Sequence, residues 1–147
     1  MKIVICASVV FSKEIIGITE KLEKEGHTVD IPFVTKLIRD KKISLDQYIA
    51  DKDKEGDIKY REQYRDQVDM IKRYYGLIND CDAILVLNYD KKDIPNYIGG
   101  SVLMEMGFAY VLDKKIFLLN PIPEMSYSDE LKDCKPIVIS GELSKIK

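Results

Sequence analysis

Metal-binding and disulfide chemistry have almost nothing to work with in this sequence. Cys6, Cys81 and Cys134 are odd in number, far apart and without a CxxC spacing, and His27 is the one histidine that could join them. This excludes a disulfide framework and a zinc site, and no metal or organic cofactor is expected. No apolar run approaches the roughly 20 residues needed to span a bilayer. The N-terminal "MKIVICASVVFSKE" lacks a small-residue cleavage site behind a basic n-region, so it reads as a buried strand of a cytoplasmic protein rather than as a leader. Charge of one sign is missing as well. The 23 basic residues are interleaved with 25 acidic ones for a net charge of −2, which leaves no broad basic face to neutralise polynucleotide phosphates. The expected partner is therefore a small molecule, with no nucleic acid polymer and no membrane. The turn after the first strand, Cys6-Ala7-Ser8, contains no glycine, so neither the G-x-G-x-x-G dinucleotide fingerprint nor a Walker A loop is present. Nicotinamide hydride transfer and P-loop ATP hydrolysis become poor readings.

What is there belongs to an ordinary globular chain: 46% hydrophobic and 33% charged residues over 147 positions, enough for one domain spanning 1–147. "KIVICA" is a continuous β-branched run of the kind buried on both faces of a parallel sheet. Ser12 is placed to cap the helix "KEIIGITEKLEKEG", whose C-terminal stop is Gly26, and "HTVDIP" completes a βαβ unit. From Phe33 to Gly56 the pattern weakens into a charged excursion with one short helix and a mobile loop expected, its residues 39–56 acting as a lid or partner contact. A long helix is then predicted over 57–79, with Tyr64, Val68, Ile71, Tyr75 and Ile78 facing the sheet. Strand "DAILVLN", helix "GGSVLMEMGFAYVLD", and strands "KIFLLN" and "KPIVIS" follow. The alternation predicts a three-layer α/β domain, flavodoxin- or Rossmann-like, with a mainly parallel five-stranded sheet in the order 2-1-3-4-5. In that order a crevice opens at the carboxyl ends of strands 1 and 3, where such folds bind ligands.

Glu105 is the anomaly at this crevice. It is the only charged residue from Val102 to Leu112, and its helical neighbours at i−4, i−3, i+3 and i+4 are Ser101, Val102, Phe108 and Ala109, none of them basic. A buried carboxylate without a partner costs several kcal/mol or takes up a proton. Two readings stand: a solvated residue at the helix edge, or a functional carboxylate kept ionised near the positive helix end, as suits a nucleophile. Gly99 and Gly100 before that helix either make a turn or allow backbone N–H groups to approach ligand oxygens, and Ser101 adds a donor. Cys6 reads as a small hydrophobe lacking an adjacent base, and His27 as a remote junction residue. The tyrosines Tyr60, Tyr64, Tyr74 and Tyr75 read as helix packing.

The stretch "DAILVLNYDKKDIPNYIGGSVLMEMGFAYVLDKKIFLLNPIP", residues 82–123, resembles the core of the nucleoside 2-deoxyribosyltransferase family and its nucleoside 5'-monophosphate glycosidase relatives. Glu105, Gly107 and Ala109 match that family's Glu-x-Gly-x-Ala helix. The resemblance implies that Glu105 attacks C1' of the sugar, that a nucleoside or nucleotide is the substrate, and that the chain forms a homodimer or larger homo-oligomer whose sites a neighbouring copy completes. Many relatives carry an Asp six residues before the nucleophile, bound to a sugar hydroxyl; here that position is Gly99. Asp93 or Asn96 could supply the contact from the same loop or be turn residues. Ser8 resembles the relatives' serine near the phosphate or is an ordinary turn serine, and Asn88 ends its strand within the crevice. The rival class is a nucleotide or nucleotide-sugar binding module on the same fold with a degraded catalytic set. A flavodoxin-type electron carrier lacks its phosphate loop.

Overall fold

The computed structural model describes residues 1–55, 62–63 and 68–147. Its sheet has five parallel strands, β1 (Lys2–Cys6), β2 (Thr28–Asp30), β3 (Ala83–Val86), β4 (Lys115–Leu118) and β5 (Ile137–Val138), in the order β2-β1-β3-β4-β5. The predicted topology is therefore the observed one. The register Ile3↔Ala83 to Cys6↔Val86 puts the two central strands side by side, and every residue from Ile3 to Cys6 and from Ala83 to Val86 is fully buried. Continuous apolar strands are what a sheet covered on both faces requires.

Alternate residues feed two separate cores. Val4, Ile84, Ile116 and Leu118 meet Tyr74 and Ile78 of α4 (Met70–Asn79) and Met106 and Ala109 of α5 (Gly100–Val111). Ile3, Ile5, Leu85 and Phe117 meet Ile15, Ile18 and Leu22 of α1 (Ser12–Lys24) on the opposite face. A short α6 (Ser128–Asp133) precedes β5. No described helix is long and apolar enough to cross a membrane.

Four local expectations are corrected. Ser12 does not cap α1: Phe11 holds the N-cap position, and the fully buried Ser12 hydroxyl instead donates to Val9 O at 2.6 Å and bonds Thr35 Oγ1 at 2.8 Å. It ties α1 to the next helix, because burial made a tertiary partner available. The charged excursion holds two helices, α2 (Phe33–Arg39) and α3 (Leu45–Glu55), rather than one helix and a loop. They carry a small core of their own in which Tyr48 and Val34 are buried against Phe33, Ile38, Leu45 and Ile49, so few anchors suffice. The long helix 57–79 is not continuous. Val68 is non-helical and Asp69 accepts from Lys72 N at 3.0 Å as the N-cap of α4, as a short acidic side chain does at a helix start. Its inward face is also rotated: Tyr74 and Ile78 are buried, while Ile71 and Tyr75 are 55% and 46% exposed. The Tyr74 hydroxyl donates to Ile5 O at 3.1 Å, and a buried tyrosine with a backbone acceptor outcompetes the alternative phase. Tyr60 and Tyr64 lie outside the described residues. Gly26, by contrast, ends α1 as expected, at a φ of +88° that costs a glycine little.

Candidate functional site

β1 is hydrogen-bonded to β2 on one side and β3 on the other, so the chain leaves their carboxyl ends in diverging directions. A cavity of about 1030 Å³ lies there. One wall is the β1–α1 turn with Ala7, Ser8 and Val9; a second is Tyr97, Gly99, Gly100, Ser101 and Glu105 at the entry to α5. Tyr48, Ile49, Lys52 and Asp53 of α3 and Asp69, Met70 and Tyr74 at the start of α4 close it further.

Gly99 is the N-cap of α5 at φ −83°, and neither it nor Gly100 has a positive φ. Their backbone conformation is open to any residue, so the turn alone does not require glycine. What they do is keep the wall bare: a Cβ on Gly99 would approach Tyr97 Cε1 to 3.4 Å, and one on Gly100 would stand in open space. Ser8 Oγ accepts a hydrogen bond from Lys91 Nζ at 2.8 Å, and the ammonium groups of Lys91 and Lys92 lie 5.6 and 5.7 Å from the centre of the Tyr97 ring. This part of the wall is cationic and rich in donors.

Glu105 is 9% exposed and on the cavity wall. Burial pushes its carboxyl up to about 8, and a hydrogen bond from the Cys6 thiol and the charge of Arg73 pull it down by less. The expectation of a carboxylate kept ionised by its helix end is thereby corrected: Glu105 stands in the second turn, and desolvation outweighs the partial charge of a terminus. Cys6 also differs from its reading, since Glu105 lies beside it; burial and that carboxylate raise the thiol well above its usual range. Tyr74 is raised by burial and by Glu105.

Of the other residues singled out in the sequence, Ser8, Gly99, Gly100 and Ser101 share the cavity with Glu105, whereas Asn88, Asp93 and Asn96 are not on its wall. Asn88 is fully buried, donating to Asn120 O and Pro121 O at 3.1 and 3.0 Å and accepting from Asn120 N at 2.9 Å. It locks the ends of β3 and β4 together, a role that strand-end position alone could not distinguish from ligand contact. Asn88→Ala is expected to cost about 2–3 kcal/mol of stability by orphaning buried backbone groups, measurable by urea unfolding. Asp93 and Asn96 adopt φ of +57° and +56°, the left-handed region that Asp and Asn tolerate. Asn96 N donates to Asp90 Oδ1 at 2.9 Å, so both shape the loop. His27 Nδ1 lies 3.3 Å from the N-terminal amine, at the amino end of β1 and away from the cavity.

Lys91 and Arg73 were missed. In "YDKKD" nothing local marks Lys91, whose partner Ser8 is 83 residues away, and a helix phase with Ile71 and Tyr75 inward gives Arg73 no role.

No family model matches the chain, and no curated protein matches it in sequence. Among solved structures, the fold is similar to that of a CMP N-glycosidase of Clostridium botulinum, with a TM-score of 0.50 over 95% of this chain and 90% of that one at 18% identity. What this likeness shows at 18% identity is the fold.

Proposed function

We propose that this chain cleaves or transfers the N-glycosidic bond of a nucleoside or nucleotide, with Glu105 as nucleophile. The observation that carries the reading is a buried carboxylate on the wall of a cavity that Ser8 and Lys91, hydrogen-bonded to each other, also line. Such a pairing suits a sugar with its anomeric carbon toward Glu105 and a 5'-phosphate toward the lysine. The activity in the name of the similar structure, and the Glu-x-Gly-x-Ala match at Glu105, Gly107 and Ala109, support the same assignment. A Glu105 oxygen attacks C1', the bond from C1' to the base nitrogen breaks, and its electron pair leaves with the base, which takes a proton. Water, or a second base, then attacks C1' of the glycosyl-enzyme and frees the carboxylate. No group in this sequence of steps needs a metal or organic cofactor.

A chromatographic screen of nucleosides and their monophosphates, with and without an acceptor base, tests the proposal. Release of free base supports it, and monophosphates are expected to outperform nucleosides. Gly99, standing where relatives carry the sugar-binding Asp, favours a second reading: a nucleotide-binding module without turnover. That protein would be thermally stabilised by monophosphates yet release no base.

The charged excursion 39–56, whose Tyr48, Ile49, Lys52 and Asp53 line the cavity, is proposed to act as a lid. Limited proteolysis is expected to cut there first, and a bound nucleotide is expected to slow that cut. Equal cleavage rates with and without ligand would remove the lid.

A homodimer is proposed as the working form. Met104, Phe108 and Val111 recur along one face of α5, the first and last 36% and 72% exposed, and Tyr75 of α4 meets Phe108 edge to face at 5.5 Å. With Ile71 they form an apolar patch that adjoins the cavity mouth, since Ile71, Met104 and Phe108 also line the cavity. A second copy related by two-fold symmetry would cover the patch and narrow the opening. Light scattering at micromolar concentration is expected to give twice the 16.9 kDa chain mass for the parent and a monomer for Val111→Glu. A fully active monomeric parent would refute the dimer.

A further inference from the structure

The space that a side chain on residue 99 would fill is already taken. A Cβ on Gly99 would meet Tyr97 Cε1 at 3.4 Å and the Tyr97 hydroxyl oxygen at 3.6 Å, so the phenol stands at the N-cap of α5 in place of the side chain that Gly99 lacks. The backbone holds it there. Tyr97 N donates to Tyr89 O at 3.0 Å, the adjoining Ile98 is buried with its carbonyl accepting from the Tyr127 hydroxyl, and Asn96 turns the chain at a φ of +56°. A ring fixed in this way is in position before any ligand arrives. Tyr97 lines the cavity with Glu105, Ser8, Lys91 and Lys92, and among the described residues its hydroxyl has no hydrogen-bond partner.

The charges around the ring say what it faces. The Lys91 and Lys92 ammonium groups lie 5.6 and 5.7 Å from its centre, within the range at which a cation is drawn to an aromatic ring. Lys91 Nζ also donates to Ser8 Oγ at 2.8 Å, which uses an acceptor lone pair of that hydroxyl and leaves its proton to be donated elsewhere. Asp90 and Asp93 of the same loop are not on the cavity wall. Two hydroxyls and two ammonium groups together suit an anion. Glu105 follows Gly99 by six residues, a helical rise of about 9 Å, and its side chain leans back toward the helix N-terminus, which leaves room for one pentose between the carboxyl and the Tyr97 hydroxyl.

We propose that Tyr97 is a specificity-determining residue: its hydroxyl donates to a 5'-phosphate on the pentose, beside Ser8 and Lys91, so that this wall selects a phosphate monoester over a free 5'-hydroxyl. This deepens the reading above and rests on it.

The test uses ribose 5-phosphate, ribose and inorganic phosphate, none of which has a base to release, with the parent and Tyr97→Phe compared by titration calorimetry. The parent is expected to bind ribose 5-phosphate at least about tenfold more tightly than ribose or inorganic phosphate. Tyr97→Phe keeps the ring beside the lysines and is expected to weaken ribose 5-phosphate by about tenfold or more, the loss of a hydrogen bond to a charged group, while leaving ribose unchanged. In the unmodified protein with isotope-labelled tyrosine, the ring signals of Tyr97, assigned through its backbone, should move with ribose 5-phosphate and stay still with ribose, which decides the matter even where Tyr97→Phe fails to fold. An unchanged affinity in Tyr97→Phe, a loss shared equally by ribose, or inorganic phosphate bound as tightly as the sugar phosphate overturns the inference. Tight binding of ribose 5-phosphate that Tyr97→Phe loses, in a protein that releases no base, supports the phosphate contact and overturns the enzymatic reading alone.

Discussion

Glu105→Gln is expected to lower base release by at least about 10³-fold while leaving the fold intact. The amide fills nearly the same volume between Cys6 and the cavity but has no charge to offer the anomeric carbon. The same assignment fixes the sign of the pH dependence. With the Glu105 carboxyl pushed up to about 8, most of the free protein at pH 7 holds it protonated. If the carboxylate is the attacking species, kcat/KM rises roughly tenfold per pH unit up to that value and then levels. If Glu105 instead delivers the proton to the departing base, the rate falls through the same range. Activity of Glu105→Gln within about tenfold of the parent would sink both roles.

The second large effect is on stability, and it runs the other way. Glu105 has a folded-state value of about 8 against an ordinary 4.5, so between those two values the folded protein holds a proton that the unfolded chain has released. Stability then falls as pH rises, by about 1.4 kcal/mol per unit, and the full span amounts to something on the order of 5 kcal/mol. Below pH 4.5 both states are protonated and the penalty is absent; above about 8 it is fully present. Glu105→Gln does not titrate, so it is expected to match the parent near pH 5 and to exceed it by several kcal/mol at pH 8.5. Urea unfolding of both proteins at the two pH values measures this directly. An equal difference at both would show that Glu105 is not desolvated. A site residue whose removal stabilises the fold at alkaline pH has a role other than holding the fold together.

The dimer and lid experiments address what surrounds this carboxylate. A desolvated Glu105 and a cavity open to water are opposed, so covering the mouth is expected to raise the carboxyl further.

The order of the fold was legible in local sequence because the strands "KIVICA", "DAILVLN" and "KIFLLN" are apolar without interruption, and only a parallel sheet covered on both faces accommodates such runs. The crevice followed from topology, and Glu105 from a charge in an apolar helix. Helix phase was not legible: Tyr64, Val68, Ile71, Tyr75 and Ile78 keep helical spacing as well as the face built on Tyr74 and Ile78 does, and periodicity cannot choose between two stripes that share Ile78. The choice was made by one hydrogen bond from Tyr74 to Ile5 O, across 69 residues, and by an N-cap at Asp69. The same limit explains Ser12 and Asn88. Short polar side chains satisfy either a local turn or a distant partner with similar energy, and which one wins depends on what the folded chain brings within 3 Å. The state of Glu105 was likewise undecided by its position on the helix, because the cost of ionising it is set by how much water the packing of β1, α4 and α5 removes, a quantity that exists only in the tertiary structure.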